Sequence, residues 1–240
     1  MSVLSDAFAQ LLDLDAHPAL ARHALRRTDD FLNLAQGIYS ETLLLTAEGP
    51  RPVGRVAEGD LVMTFDHGLR PVRWVERFDF TRLSGDLPEA IWPLRVPAGL
   101  FGNAQERFLA PEQCLLLESD FAEVELGDPF ILVPARVLGL LPQVERVAPA
   151  SARTIHRLRF AQPELVMAAN GAVLLCETGS IFDHWQGFAE EDHGPLLSYT
   201  SLPFDMARDL LSREIQHDGG IAAHLEKHLM RMNQHLRVAG

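Results

Sequence analysis

Cysteine is scarce: the 240-residue chain has two, Cys114 and Cys176. Two are too few for a disulfide scaffold. Long hydrophobic runs are missing as well, since no uninterrupted apolar stretch approaches the ~20 residues needed to span a bilayer. The opening Met1-Ser2-Val3-Leu4-Ser5-Asp6 lacks the basic start and apolar stretch of a signal peptide. Positive charge is in short supply, with 21 Lys and Arg against 33 Asp and Glu and a net charge of −12. A field of that sign repels nucleic-acid backbones and anionic membranes. There is no Gly-rich phosphate loop, no G-x-S-x-G turn and no C-x-x-C pair. These absences lead to the expectation of a reduced, cytoplasmic protein with no cofactor, no nucleic-acid partner and no membrane span. What is present is core material: 47% of residues are hydrophobic and 22% charged. That balance suits one large domain with attached segments.

The chain changes character twice. Leu4, Phe8, Leu11 and Leu12 fall on one helical face, Pro18 suits the start of a second helix, and residues 30–36 form a third short piece. Residues 1–36 are therefore expected to be helical, with Gly37 as the helix stop. From Thr42 to Ser180 short apolar stretches alternate with Gly, Pro and Asp, the pattern of a mainly β core. These stretches include Leu43-Leu44-Leu45, Leu61-Val62-Met63, Val72-Arg73-Trp74-Val75, Cys114 to Leu117 and Ile131-Leu132-Val133. Asn170-Gly171, between Glu164–Ala168 and Ala172–Leu175, predicts a two-residue hairpin. A connecting segment, 181–202, leads to a helical C-terminal segment, 203–240. There Met206, Leu210 and Ile215 define one helix, Gly219-Gly220 breaks it, and Ile221, Leu225 and Leu229 resume the period.

Within the core, Thr42 to Val53, Val56 to Gly68 and Pro71 to Val75 resemble the first block of a Hint domain, the fold shared by hedgehog autoprocessing domains and inteins. Leu109-Ala110-Pro111-Glu112-Gln113-Cys114 resembles the second block. Val133 to Leu138 and His156 to Phe160 resemble the bacterial branch of the family. The resemblance spans residues 37–180. It implies a Hint-like β core, to which the helical periodicity adds N-terminal and C-terminal helical segments. It also implies a chemistry in which the first residue, Cys or Ser, attacks the preceding carbonyl while a second-block His moves the proton. Counting five residues back from Thr42 places the nucleophile at Gly37, and the His position falls on Gln113. Neither residue can take its role, because glycine has no side chain and a glutamine amide does not shuttle protons. A catalytically inactive Hint scaffold, not an enzyme, is the expectation. Its function would be structural or protein binding, through a partner or self-association at the terminal helices.

The rival is residual autoproteolysis with a non-standard nucleophile. Ser40 and Cys114 are the available substitutes, although Cys114 beside Leu115 and Leu116 has the surroundings of a packed thiol, as Cys176 has beside Leu174 and Leu175. His224 and His228, at i and i+4, are weak candidates for a metal pair but border an apolar helix face. Asp183-His184 and Asp192-His193 have the composition of a solvated acidic loop.

Overall fold

In the computed structural model, the residues described are 35–79, 89–100, 103, 105–148, 154–169, 171–176 and 198–227. The expected N-terminal helices, both Asp-His pairs of 183–193, and His228 lie outside them. Fifteen strands are found among the described residues: β1 Ile38–Tyr39, β2 Leu43–Thr46, β3 Gly49–Pro52, β4 Leu61–Thr64, β5 Gly68–Pro71, β6 Trp74–Asp79, β7 Leu94–Val96, β8 Arg107–Leu109, β9 Cys114–Glu118, β10 Phe130–Pro134, β11 Glu145–Arg146, β12 Thr154–Arg159, β13 Glu164–Met167, β14 Val173–Cys176 and β15 Thr200–Ser201. Two α-helices accompany them, α1 Asp120–Leu126 and α2 Phe204–His217, and residues 221–227 are helical too. The mainly β core with a helical C-terminal segment is as the sequence pattern predicts.

The strands form three sheets. The largest runs β15-β10-β9-β14-β13-β4-β2-β3, with β5 added to β4. Its edge strand β3 contains Pro50 and Pro52, which lack N–H donors and are tolerated where a strand has one neighbour. A second sheet, β1-β12-β6, places β12 in the middle, antiparallel to both neighbours. The third is β11-β7-β8. Because β12 is covered on both faces, its residues do not follow the polar alternation of a half-buried strand. Leu158 enters the main core with Leu44, Val62, Val133 and Val166. Ile155 enters a separate small core with Ala35, Tyr39, Ile91 and Ala110. Each such aliphatic side chain withdrawn from water stabilises the fold by roughly 1.5–3 kcal/mol.

Two local expectations need correction. The predicted hairpin forms with its frame moved by one residue: Ala168 N–H bonds to the Ala172 carbonyl at 2.8 Å, and Gly171 N–H bonds to the Ala168 carbonyl at 3.0 Å. Ala169 is drawn out of the ladder because its N–H bonds to Leu43 O, and Ala168 bridges to Leu44. The stretch Val72 to Val75 is also not one strand. Val72 and Arg73 are the passage between two sheets, with β6 starting at Trp74. Helix α1, inside the β region, is unforeseen. It is capped by Ser119, whose Oγ accepts from Ala122 N–H at 3.1 Å, and stopped by Gly127 in the left-handed conformation. No helix of the described residues is long and apolar enough to cross a membrane.

Candidate functional site

Strand β1 pairs with β12 so that Ile38 faces His156 and Tyr39 faces Ile155. This register brings Gly37 alongside residues more than a hundred positions later. Gly37 has φ +126°, a backbone conformation that side-chain-bearing residues avoid. The space beside it is also filled. A Cβ there would lie 2.4 Å from Cγ2 of Ile155, 3.0 Å from the His156 carbonyl oxygen and 3.3 Å from Cγ of Arg157. Ile155 belongs to the second core and is fully buried, so it has little freedom to withdraw.

The two carbonyls that precede Gly37 are both held. Arg157 donates from Nε to the Gln36 carbonyl at 3.4 Å, and Glu112 N–H donates to the Ala35 carbonyl at 2.8 Å. Gln113 follows Glu112 and is almost fully buried. Its Nε2 donates to the Leu175 carbonyl at 2.8 Å and to the Cys114 carbonyl at 3.0 Å. Both amide protons are thus engaged by backbone acceptors, and the side chain joins β9 to β14. Glu112 itself is anchored to Arg136, Oε1 to Nε at 3.1 Å. Burial pushes the Glu112 carboxyl above its usual range, with Arg136 and Arg146 pulling partly back.

A cavity of about 30 Å³ remains at this spot, walled by Gln36, Gly37, Gln113, His156, Leu175 and Cys176. It has room for a water molecule but not for a bound reactant. The two positions singled out from the sequence, Gly37 and Gln113, therefore line one cavity. Of the substitutes, Ser40 lies nearby in the chain but on the other side of β1's end. Its Oγ donates to the Thr154 carbonyl at 3.1 Å and lies 3.3 Å from Nδ1 of His156. Cys114 instead packs against the Leu116, Leu132 and Leu165 cluster. His156, Arg157 and Cys176 were missed as members of the site. No spacing rule could find them, because only the β1–β12 and β9–β14 pairings bring them to it.

His224 belongs to a different constellation. With Glu214 and Asp218 it forms a group whose ligand-type atoms lie within 4.8 Å of one another. These groups already have partners. Glu214 accepts from Ser119 Oγ at 2.6 Å and from Asp120 N–H at 3.1 Å, at the start of α1. Asp218 bonds His224 Nδ1 at 2.8 Å and Lys227 Nζ at 2.7 Å. Burial raises the Asp218 carboxyl, but hydrogen bonds and charge from Lys227 and His224 outweigh it and hold the group below the usual range. Lys227 Nζ, which also lies 2.9 Å from Asp120 Oδ2, brings positive charge to Asp218, and these ion pairs tie α1 and the end of α2 to residues 221–227.

Gly37 thus immediately precedes β1, the strand that opens the β core, and residues 112–113 dock beside it. The family profile described as the Hint domain matches residues 37–179, and the chain belongs to that family. Among solved structures, the AceL NrdHF class 3 split intein, a splice-inactive variant, is similar at 11% identity, covering 60% of this chain and 98% of its own, with TM-score 0.36. A bacterial intein-like domain from Clostridium thermocellum gives 11% identity, 60% and 99% coverage and TM-score 0.37. The gp41-1 intein gives 13%, 59% and 98%, with TM-score 0.35. No curated protein sequence matches the chain at a significant level.

Proposed function

We propose that this is a Hint domain that does not cut itself, and that it serves as a scaffold keeping the segment before Gly37 covalently joined to the β core. The observation that carries this is the closed space at Gly37, where a nucleophilic side chain has neither an allowed backbone nor room. Gln113 supports it, since an amide bonded to two carbonyls supplies no mobile proton. The core spans 37–180, and the function is protein binding in the cytoplasm, with a partner or second copy meeting the terminal helical segments. Val124 on α1 and Met206 on α2 are exposed apolar side chains. Intact mass spectrometry of the purified chain tests the reading, with and without thiol or hydroxylamine. A single species near 26.7 kDa is expected, and fragments divided at Gly37 would overturn it.

A second reading is favoured by one contact, the Ser40 hydroxyl 3.3 Å from His156 Nδ1. In it, Ser40 Oγ attacks the Tyr39 carbonyl carbon, His156 takes the hydroxyl proton and passes it to the departing Ser40 nitrogen, and water hydrolyses the ester. Thr42 N–H, 2.9 Å from the Tyr39 carbonyl oxygen, would stabilise the developing oxyanion. Fragments ending at Tyr39 that vanish in Ser40→Ala would establish it. An uncut chain in hydroxylamine removes it.

A further inference from the structure

A larger cavity, of about 210 Å³, lies where the chain passes twice between the nine-stranded sheet and the β1-β12-β6 sheet. One passage runs from β5 through Val72 and Arg73 to β6, and the other from β12 through Phe160 to β13. Arg73 N–H bonds to the Arg159 carbonyl at 2.8 Å and pins the two together. Pro71 and the buried Phe160 form apolar walls, and Arg70, Arg73, Gln162 and Glu164 form polar ones. Pockets for drug-sized ligands run to roughly 300–1,000 Å³, so this one suits a molecule about as large as a single amino acid.

The polar wall is built around a buried charge. Glu164 is only 2% exposed, and its Oε2 lies 2.8 Å from His67 Nδ1. Its Oε1 accepts from Gln162 Nε2 at 3.2 Å, while Arg70 Nε stands off at 3.8 Å, an ion pair beyond hydrogen-bonding reach. A carboxylate oxygen accepts two hydrogen bonds, so Oε1 has one position open. The Arg73 guanidinium has neither a hydrogen bond nor an ion pair with the rest of the described residues. One carboxylate and two guanidinium groups leave an excess positive charge here, in a chain whose net charge is −12.

We propose that this cavity binds a small zwitterion of the amino-acid class. The ligand carboxylate bridges Arg70 and Arg73, whose planar forks match its geometry. The ligand ammonium donates to Oε1 of Glu164, and an apolar side chain rests on Phe160 and Pro71. The cavity shares no lining residue with the one at Gly37, so the inference is independent of whether the chain cuts itself.

L-leucine titrated into the full chain, followed by calorimetry and by the His67 imidazole resonances, tests this. Saturable one-site binding with a shift at His67 is expected. Losing one charge-assisted contact should weaken binding by about tenfold or more, both in Arg73→Gln and with N-acetyl-leucine, which lacks the ammonium. Arg73→Gln removes no internal partner, so its melting curve should match the parent and folding does not confound the result. No saturable binding up to about 10 mM leucine, equal affinity in Arg73→Gln, or equal affinity for N-acetyl-leucine would each overturn the proposal.

Discussion

Gly37 and Ile155 exclude one another's side chains: the Cβ that any other residue would place at 37 falls 2.4 Å from Cγ2 of Ile155. Placing a thiol at position 37 is therefore a steric problem before it is a chemical one. Gly37→Cys should cost about 2 kcal/mol or more, from strained backbone and overpacking together. Urea denaturation measures this, and adding Ile155→Ala should recover part of the loss non-additively. The double variant Gly37→Cys with Gln113→His should still run as one band after thiol treatment. Fragments from it would mean that the site relaxes around a nucleophile.

Gln113 acts as a strut between β9 and β14. Gln113→Leu leaves the buried Leu175 carbonyl without its donor and should cost about 1–3 kcal/mol. Hydrogen exchange should quicken at the β9–β14 pair around Leu115 and Leu174 before it quickens elsewhere. A variant as stable as the parent would show that the amide merely fills space.

One buried carboxylate joins α2 to the start of α1. Glu214 accepts from Ser119 Oγ and Asp120 N–H. Glu214→Ala removes both acceptors from the start of α1 and should destabilise the chain by about 2–4 kcal/mol. Exchange protection of α1 should be lost with it. A loss confined to α2 would separate the two helices energetically.

The ion pairs of Asp218 make a pH-dependent contribution with opposite signs at its two ends. Asp218 has a lowered folded pKa, so its stabilisation is present above the ordinary 3.8 and fades as pH falls through the folded value. Lys227 loses from burial but gains more from Asp218 and Asp120, so its pKa is raised. Its stabilisation is complete below 10.5 and is lost as pH rises through the folded value. Asp218→Asn should flatten the acid limb of a stability–pH profile, and an unchanged limb would assign acid sensitivity elsewhere. Zinc at equimolar level should leave the melting temperature unaltered, because Lys227 already neutralises the carboxylate.

Much of the fold is legible along the chain because its elements have local causes. Leucine and valine clusters between Gly and Pro punctuation mark β2, β4, β9 and β10, and Gly219-Gly220 marks the break after α2. Helix α1 escapes notice because seven residues give too few turns for a helical period to emerge, although Ser119 and Gly127 are its written caps. The hairpin at 168–172 is displaced by bonds to Leu43 and Leu44, a strand that sequence-local turn rules do not see.

Amino-acid order alone determined that positions 37 and 113, singled out by counting along two blocks that resemble the family's, hold glycine and glutamine. Only the tertiary structure decided that both positions are closed in by their neighbours. Ile155 crowds Gly37, Leu175 and Cys114 engage Gln113, and Arg157 donates to the Gln36 carbonyl. The reason is one of distance along the chain. Side-chain chemistry is written residue by residue, whereas the space a side chain may occupy is set by strands paired across more than a hundred residues.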